Sequence, residues 1–184
     1  MKRRDFIQTS LAAPLATSSS LPNKTGLDKG FKVKAGEGRF YGHIQLKGVN
    51  ENILDVKISG KDTNGALAVL EQTSLSPKRG TPLHVHPFQD EQFYVVEGEY
   101  VFQVGEDKFR LQVGDSIFLP RNVPHAWTQA SERGKMIVTF QPAGKMEDFF
   151  LAVAGLKTVP TTEEMARLFA ANDMKVVGPP LKID

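Results

Sequence analysis

Four residues of this chain have the types and the spacing of a metal site. His84 and His86 are two apart, Glu91 follows His86 after four intervening residues, and His125 lies further on in the run GDSIFLPRNVPHAW. Side chains two apart on a β-strand point to the same face, so the first two imidazoles would face one centre. Three imidazoles and a carboxylate suit a divalent transition metal better than calcium or magnesium, which prefer oxygen ligands. The pattern therefore predicts a site for one divalent transition metal.

Length and composition indicate one globular domain with its own core. The chain has 184 residues, and its apolar and charged fractions are ordinary for a globular protein. Cysteine is absent, which excludes a disulfide framework and a thiolate metal site. Only four histidines are present, and three of them belong to the predicted site. The fourth, His43, lies outside the pattern and is interpreted as an ordinary strand or rim residue.

The first twenty residues have the composition of an export signal. The run MKRRDFIQTSLAAPLATSSS opens with basic residues, continues with a short apolar stretch and ends with small residues. Its adjacent Arg3 and Arg4 resemble a twin-arginine (Tat) leader, which predicts a periplasmic or extracellular protein; a disordered basic tail is the alternative. The apolar stretch is interrupted by Pro14 and is too short to span a bilayer.

The positive charge of the chain comes from this leader. Residues 1–20 carry three basic side chains and one acidic one, so without them the formal net charge of +2 disappears. The basic isoelectric point is therefore no sign of nucleic-acid binding. No helix-turn-helix segment flanks the rest of the chain, which also argues against a DNA-binding regulator.

Between residues 40 and 142 the sequence predicts an all-β domain. Short runs rich in β-branched and aromatic residues recur every eight to twelve positions, and Gly, Asp, Asn and Pro separate them. An antiparallel sandwich or a closed barrel is the expected architecture, because closure removes exposed strand edges. Residues 21–39 are expected to form an N-terminal arm. The predicted strands cover 53–59, 65–73, the segment around His84, 92–98, 100–104, 108–113, 116–120, 125–129 and 135–141.

A C-terminal helical extension is predicted for residues 143–184. Residues 145–156 place apolar side chains at helical spacing. Thr161 and Glu164 form a Thr-x-x-Glu capping box for a second helix that reaches about Asn172. These helices are expected to pack on the barrel or on a second subunit.

The histidine pattern on this β background resembles the cupin superfamily. The first cupin motif is matched by His84-Val85-His86, Glu91 and Gly98, and the second by Gly114, Pro120 and His125. Three positions differ from the motifs: Lys78 and Asn122 stand where the family has glycine, and Gln129 stands where it has asparagine. The resemblance implies a double-stranded β-helix, or jelly-roll, barrel that encloses one metal held by His84, His86, Glu91 and His125. Members of the superfamily use iron, manganese, nickel, zinc, copper or cobalt, so the metal stays open.

Strand alternation predicts the wall of the pocket. If Glu91 points inward, Phe93 does too, while Tyr94 points away. If His125 points inward, Trp127 and Gln129 share its face. Aromatic walls beside a metal would suit a flat or apolar organic ligand. The alternative is that both aromatics only fill the barrel core.

Within the cupins, the strand FYVVEG and the tail PAGKMEDFF resemble the quercetin 2,3-dioxygenase-like group. This resemblance implies a metal-dependent dioxygenase that acts on a small aromatic or flavonol-like substrate, with Glu91 as general base. Two alternatives remain: a metal-dependent isomerase or hydrolase, and a non-enzymatic small-molecule-binding protein of the cell envelope. Many cupins form dimers through an N-terminal strand and a barrel face, which residues 31–58 could provide here.

Overall fold

The computed structural model describes residues 29–47 and 50–183, and these form two antiparallel sheets with two short helices. The predicted export signal, residues 1–20, lies outside the described residues, as does the arm before residue 29. The strands are β1 (Ile44–Gln45), β2 (Ile53–Ile58), β3 (Ala68–Ser74), β4 (Pro82–Val85), β5 (Asp90–Glu97), β6 (Tyr100–Val104), β7 (Asp107–Leu111), β8 (Ser116–Leu119), β9 (His125–Gln129), β10 (Gly134–Gln141) and β11 (Lys175–Pro180). The helices are α1 (Met146–Ala154) and α2 (Thr162–Ala171).

The two sheets face each other across a single apolar core. One has six strands in the order β1-β2-β3-β10-β5-β8, and the other has five in the order β11-β4-β9-β6-β7. Buried and partly exposed residues alternate along β3 and β10, as expected for strands with one face on the core and the other outward. The fully buried Leu70, Val95 and Phe102 come from both sheets and meet in this core. An all-β fold is thereby confirmed.

Two left-handed residues occupy the positions where the cupin motifs have glycine. Lys78 has a φ of +59° and Asn122 a φ of +64°. Left-handed backbone is easy for glycine and disfavoured for lysine, whereas asparagine tolerates it. At both positions the backbone therefore has the conformation that glycine adopts most easily, although the residue differs. The adjacent Gly80 is constrained differently, because a Cβ atom there would overlap the backbone oxygen of Trp127.

The second helix begins as the sequence predicts. The Thr161 hydroxyl accepts a hydrogen bond from the Glu164 backbone N–H, and the Glu164 carboxylate accepts one from the Thr161 N–H. This confirms the capping box, and the helix ends at Ala171 with Asn172 as its C-cap. Among the described residues, no helix is both long and apolar enough to cross a membrane.

Strand β11 was not predicted within the C-terminal extension. It pairs with β4 in antiparallel orientation, with Val176 opposite His84. The run Gly178-Pro179-Pro180 is typical of a turn, which hides the strand in the sequence. Proline is tolerated here because β11 is at the edge of its sheet, where a missing N–H leaves no partner unsatisfied.

Candidate metal centre

Three of the four predicted ligands lie on strands, which belong to both sheets, and the fourth directly follows a strand. β4 carries His84, and His86 follows directly after the end of that strand. His125 opens β9 and is the direct cross-strand partner of His84. Glu91 lies on β5 in the opposite sheet. One potential ligand atom from each side chain lies within 4.8 Å of the others, and all four residues are buried.

Backbone carbonyls orient two of the imidazoles for metal binding. His84 donates its Nδ1–H to the carbonyl oxygen of Pro82 (2.8 Å), and His125 donates its Nδ1–H to that of Val123 (3.1 Å). A carbonyl can only accept, so in both rings the proton lies on Nδ1 and the Nε2 lone pair is free. Holding a ligating histidine through its second nitrogen is the usual arrangement around protein-bound metals.

Several buried atoms of the cluster have no hydrogen-bond partner. Nε2 of His125 and both ring nitrogens of His86 are enclosed and unpaired in the described chain. His86 Nε2 lies 2.8 Å from Glu91 Oε1, but the two are not aligned as donor and acceptor. Burying polar atoms without partners is costly. Lone pairs that converge on one point instead fit a cation placed between them, so the donor set fits a divalent transition metal.

The electrostatics of the cluster favour the protonation states that metal ligands need. Burial lowers the pKa of His84 to about 3, and the positive charges that His125 and His86 would carry act in the same direction. Burial also lowers the pKa of His125. Burial opposes ionisation of Glu91, but its interactions with His86, His125 and His84 outweigh this and lower its carboxyl pKa to about 2. Neutral imidazoles and an ionised carboxylate are the forms that bind a metal.

A narrow, mainly apolar cavity, partly open to solvent, adjoins the cluster. Phe93 and Trp127 both line it, whereas Tyr94 is 45% exposed on the outer surface. The other apolar lining residues are Leu46, Pro82, Val138, Phe140, Met146, Phe149, Phe150, Val153, Met165, Phe169 and Met174. Besides His84, His86 and Glu91, its polar lining residues are Lys47, Asn50, Gln72 and Thr81.

Gln129 differs from its predicted place in the pocket wall. It is fully buried but is not among the residues that line the cavity. Its Oε1 accepts a hydrogen bond from the Ser76 N–H (3.0 Å), and its Nε2 donates to the Ser131 carbonyl (2.8 Å). Strand alternation predicts which face of β9 carries Gln129, but not how far along the barrel the residue lies. Gln129 is four residues further along β9 than His125. Its role is to connect neighbouring backbone segments.

Two phenylalanines that sequence reasoning did not assign to the site contact its histidines. The Phe169 ring from α2 packs edge-on against His84, with 5.1 Å between ring centroids. The Phe140 ring from β10 lies against His86 at 6.3 Å. Phe169 lies on the buried face of α2 together with Met165, but nothing in the sequence indicated that this face covers a metal ligand.

The fourth histidine lies outside the cluster. His43 is 60% exposed, and its Nδ1 is 2.6 Å from Oδ1 of the buried Asp55. It immediately precedes β1, in agreement with its interpretation as a strand or rim residue.

Comparison with known proteins supports the same fold. Residues 72–140 match the family model described as "Cupin domain". The chain is 33% identical over 63 residues to the tetracenomycin polyketide synthase protein TcmJ of Streptomyces glaucescens, covering 34% of this chain and 40% of that protein. It is 36% identical over 45 residues to the uncharacterized protein MJ1618 of Methanocaldococcus jannaschii, covering 24% and 36%. The chain therefore spans two fifths or less of these relatives.

Among solved structures, an RmlC-like cupin from Shewanella frigidimarina is 28% identical, with a TM-score of 0.47 over 57% of this chain and 89% of that one. The matched family model includes all four predicted ligands, and the two antiparallel sheets enclose them. The protein thus has a cupin β-barrel fold with a buried His/Glu cluster able to bind a metal ion.

Proposed function

We propose that this protein is a metal-dependent dioxygenase that acts on a small aromatic or flavonol-like substrate. One observation carries the proposal: His86, whose buried ring nitrogens have no partner, lines an apolar cavity together with Phe93 and Trp127. Such a cavity favours a flat organic molecule over a charged one. Among the described residues that line it, Lys47 is the one lysine or arginine, which argues against an isomerase or hydrolase that holds a strongly anionic substrate.

The chain supplies the metal ligands, a base and an apolar cavity. His84, His86, Glu91 and His125 would hold the metal, which when bound supplies Lewis acidity toward a substrate oxygen. Glu91 accepts the proton of the substrate hydroxyl at a carboxylate oxygen. The rings of Phe93 and Trp127 orient the flat substrate, and Phe169 keeps water from His84. Dioxygen is the oxidant, and both of its atoms enter the ring-opened product, so no external reductant is needed.

Metal analysis and oxygen consumption together test the proposal. Protein purified without chelator is analysed for iron, manganese, nickel, copper, cobalt and zinc, and is then reloaded with each metal. Oxygen uptake is measured with a panel of flavonols and simple catechols. We expect about one metal per chain and uptake that depends on both metal and substrate. Protein that binds no transition metal, or loaded protein that consumes no oxygen with any compound, would contradict it.

A binding protein without turnover is the second candidate. The roof that Phe169 and Phe149 form over the cluster (4.8 Å between their ring centroids) favours it, because such a cover slows exchange of a ligand. Tight flavonol binding without oxygen uptake would identify this function.

We also propose that the protein is exported through the Tat route. The proposal rests on Arg3 and Arg4 ahead of a short apolar run. Tat export moves folded proteins, which allows the metal to be inserted before release. Replacing both arginines by lysine should retain uncleaved protein inside the cell, as measured by fractionation and intact mass. Export of the variant at the wild-type rate would exclude this route.

A further inference from the structure

The cavity has polar groups at two separated levels of the six-stranded sheet. Phe140 pairs with Ala68 on one side and Glu91 on the other, so these residues share one row. Met136 pairs with Gln72 and Val95 in a second row. Four residues separate the rows along a strand, which corresponds to roughly 13 Å. Both Glu91 and Gln72 line the cavity, and between them lie apolar side chains, including Phe93 and Val138.

Half of the Gln72 side-chain amide is already occupied. Gln72 is 5% exposed, and its Nε2 donates to the Ser74 hydroxyl at 3.0 Å. The Tyr100 hydroxyl donates to the same Ser74 oxygen at 2.9 Å. Tyr100 is fully buried. These two hydrogen bonds therefore fix the orientation of the Gln72 amide. The other half of the amide is consequently held in one direction.

That other half faces the cavity. No donor in the described part of the chain reaches Gln72 Oε1, yet the atom is not among the fully enclosed unpaired atoms. Since Gln72 is buried as a residue and lines the cavity, the remaining access of Oε1 is toward the cavity. The nearby Asn50 also lines it and is 6% exposed. Asn50 Oδ1 accepts from the Asn52 N–H (3.3 Å), while its Nδ2 donates to no group in residues 29–47 and 50–183.

A half-paired amide in an apolar barrel needs a reason, because an aliphatic side chain would fill the same volume without the desolvation cost. A ligand hydroxyl at this level would complete the hydrogen bonding of Gln72. The separation from Glu91 exceeds the length of a single benzene ring. A one-ring catechol at the metal end would therefore leave Gln72 unpaired.

We infer that Gln72 is a specificity-determining residue for a two-ended aromatic ligand, whose chelating oxygens bind at the His/Glu cluster and whose distal hydroxyl donates to Gln72 Oε1. This inference rests on the proposed function for its substrate class and narrows that class to polyhydroxylated, multi-ring phenols. Trp127 and Phe93 contact the flat middle of the ligand. Asn50 Nδ2 supplies a donor to a second distal oxygen.

Two flavonols that differ only away from the chelating end test the inference. 3-Hydroxyflavone has the chelating hydroxyl and keto oxygens alone, whereas 3,4'-dihydroxyflavone has the same pair and one distal hydroxyl. Each is titrated into the metal-loaded protein without oxygen, so that binding is measured apart from turnover. Trp127 is the single tryptophan of the chain and lines the cavity, so quenching of its fluorescence reports binding directly.

We expect wild-type protein to bind 3,4'-dihydroxyflavone about tenfold more tightly than 3-hydroxyflavone, the usual worth of one good hydrogen bond. Gln72→Leu should remove most of this preference and leave binding of 3-hydroxyflavone within about twofold. Gln72→Met is the second variant, with an unbranched side chain that repacks more easily. Gln103→Leu is the matched control, because Gln103 lies outside the cavity lining and donates to the Gly105 carbonyl.

Each outcome decides the inference. Equal affinity of wild type for both flavonols overturns it without any variant, and so does an unchanged preference in both Gln72 variants. Binding with the expected preference but without oxygen uptake supports the role of Gln72 and contradicts the dioxygenase proposal. Oxygen uptake combined with an unchanged preference in the Gln72 variants supports the dioxygenase proposal and contradicts the role of Gln72. If neither flavonol binds, the inference and the proposed substrate class both fail.

Discussion

The barrel and the C-terminal segment form opposite walls of one cavity and contribute different kinds of residue. The barrel strands and their adjoining loop supply all four candidate ligands, together with Phe93, Trp127 and Gln72. The segment after β10 supplies only apolar side chains to the lining: Met146, Phe149, Phe150, Val153, Met165, Phe169 and Met174. The chemistry thus comes from one wall, while the other wall covers it.

This division teaches that metal affinity and ligand access can be changed separately. Two of the ligands, His84 and His125, are held by hydrogen bonds to backbone carbonyls and by pairing with each other across their strands. The cover is held mainly by packing of flexible methionines and phenylalanines, which adapt to shape more readily than a hydrogen-bonded frame. Variants of the barrel wall should therefore change metal content or chemistry, and variants of the C-terminal wall should change access and stability.

The largest effect is expected for His84→Ala. Loss of one imidazole should remove most of the bound metal and lower the melting temperature by several degrees, because metal bound to the native state stabilises it. Metal content per chain and thermal unfolding measure both effects. His43→Ala is the control, since His43 is exposed and outside the cluster. Full metal content in the His84 variant would contradict the assignment.

Glu91→Gln should separate metal binding from chemistry within the barrel wall. The amide keeps the shape and a coordinating oxygen but loses basicity, so the three histidines should retain much of the metal. Oxygen-dependent turnover should fall by about a hundredfold or more, the usual worth of a general base. Metal analysis and oxygen uptake on the same preparations measure this. Wild-type turnover by the metal-loaded variant would exclude Glu91 as the base.

Phe169→Ala tests the cover. Its ring is buried and packs against both His84 and Phe149, so its loss should cost about 3 kcal/mol of unfolding free energy. Metal content should remain near that of wild type, while a chelator should remove the metal faster. Phe169→Leu is the matched variant that keeps most of the apolar volume. Loss of metal in the alanine variant at equilibrium would show that the two walls do not act separately.

The smallest effect is expected at the start of α2. Thr161→Ala removes the N-cap and should cost about 1 kcal/mol of unfolding free energy, with metal content unchanged. Thr162→Ala, one position later and also exposed, is the control and should change stability little. Denaturant unfolding compares the two. Equal stability of the two variants would mean that the cap contributes nothing to the cover.

The same cap should respond to acid. Hydrogen bonds from Thr161 lower the pKa of Glu164 below its usual range. A lowered folded-state pKa means that its contribution is present above the ordinary glutamate range and is lost as the pH falls through the lowered value. The stability difference between wild type and Glu164→Gln should therefore shrink on acidification, as measured by denaturant unfolding at several pH values.

The ligands could be predicted from the sequence because their pattern is mostly local. His84, His86 and Glu91 lie within eight positions, and His125 follows a recognisable turn. The cap at Thr161 was equally local. The cavity wall was harder to predict. Alternation along a strand shows which face of the sheet carries a side chain, but not how far along the barrel that side chain lies. Gln129 and Gln72 both point inward, and only cross-strand register shows that one connects backbone segments while the other reaches the cavity.

Strand β11 could not be read from its residues, since its pairing partner is some ninety positions earlier and its own sequence favours a turn. Register with β4 arises only after both sheets have formed. The contact between Phe169 and His84 depends on the same long-range closure. The features that could not be predicted from the sequence therefore lie where segments that are distant along the chain come into contact.

The pairing of β11 with β4 makes residues 142–174 a loop that is closed at both ends by the barrel. β4 shares one paired position with β9 but several with β11, so the strand that carries His84 depends on the last strand for much of its backbone hydrogen bonding. Closing such a loop costs conformational entropy once, and afterwards both helices and β4 belong to one cooperative unit. The backbone amides of β4, α2 and β11 should therefore exchange with deuterium together, as a single opening event. A metal bound at His84 would slow that event throughout the unit, including at residues far from any ligand.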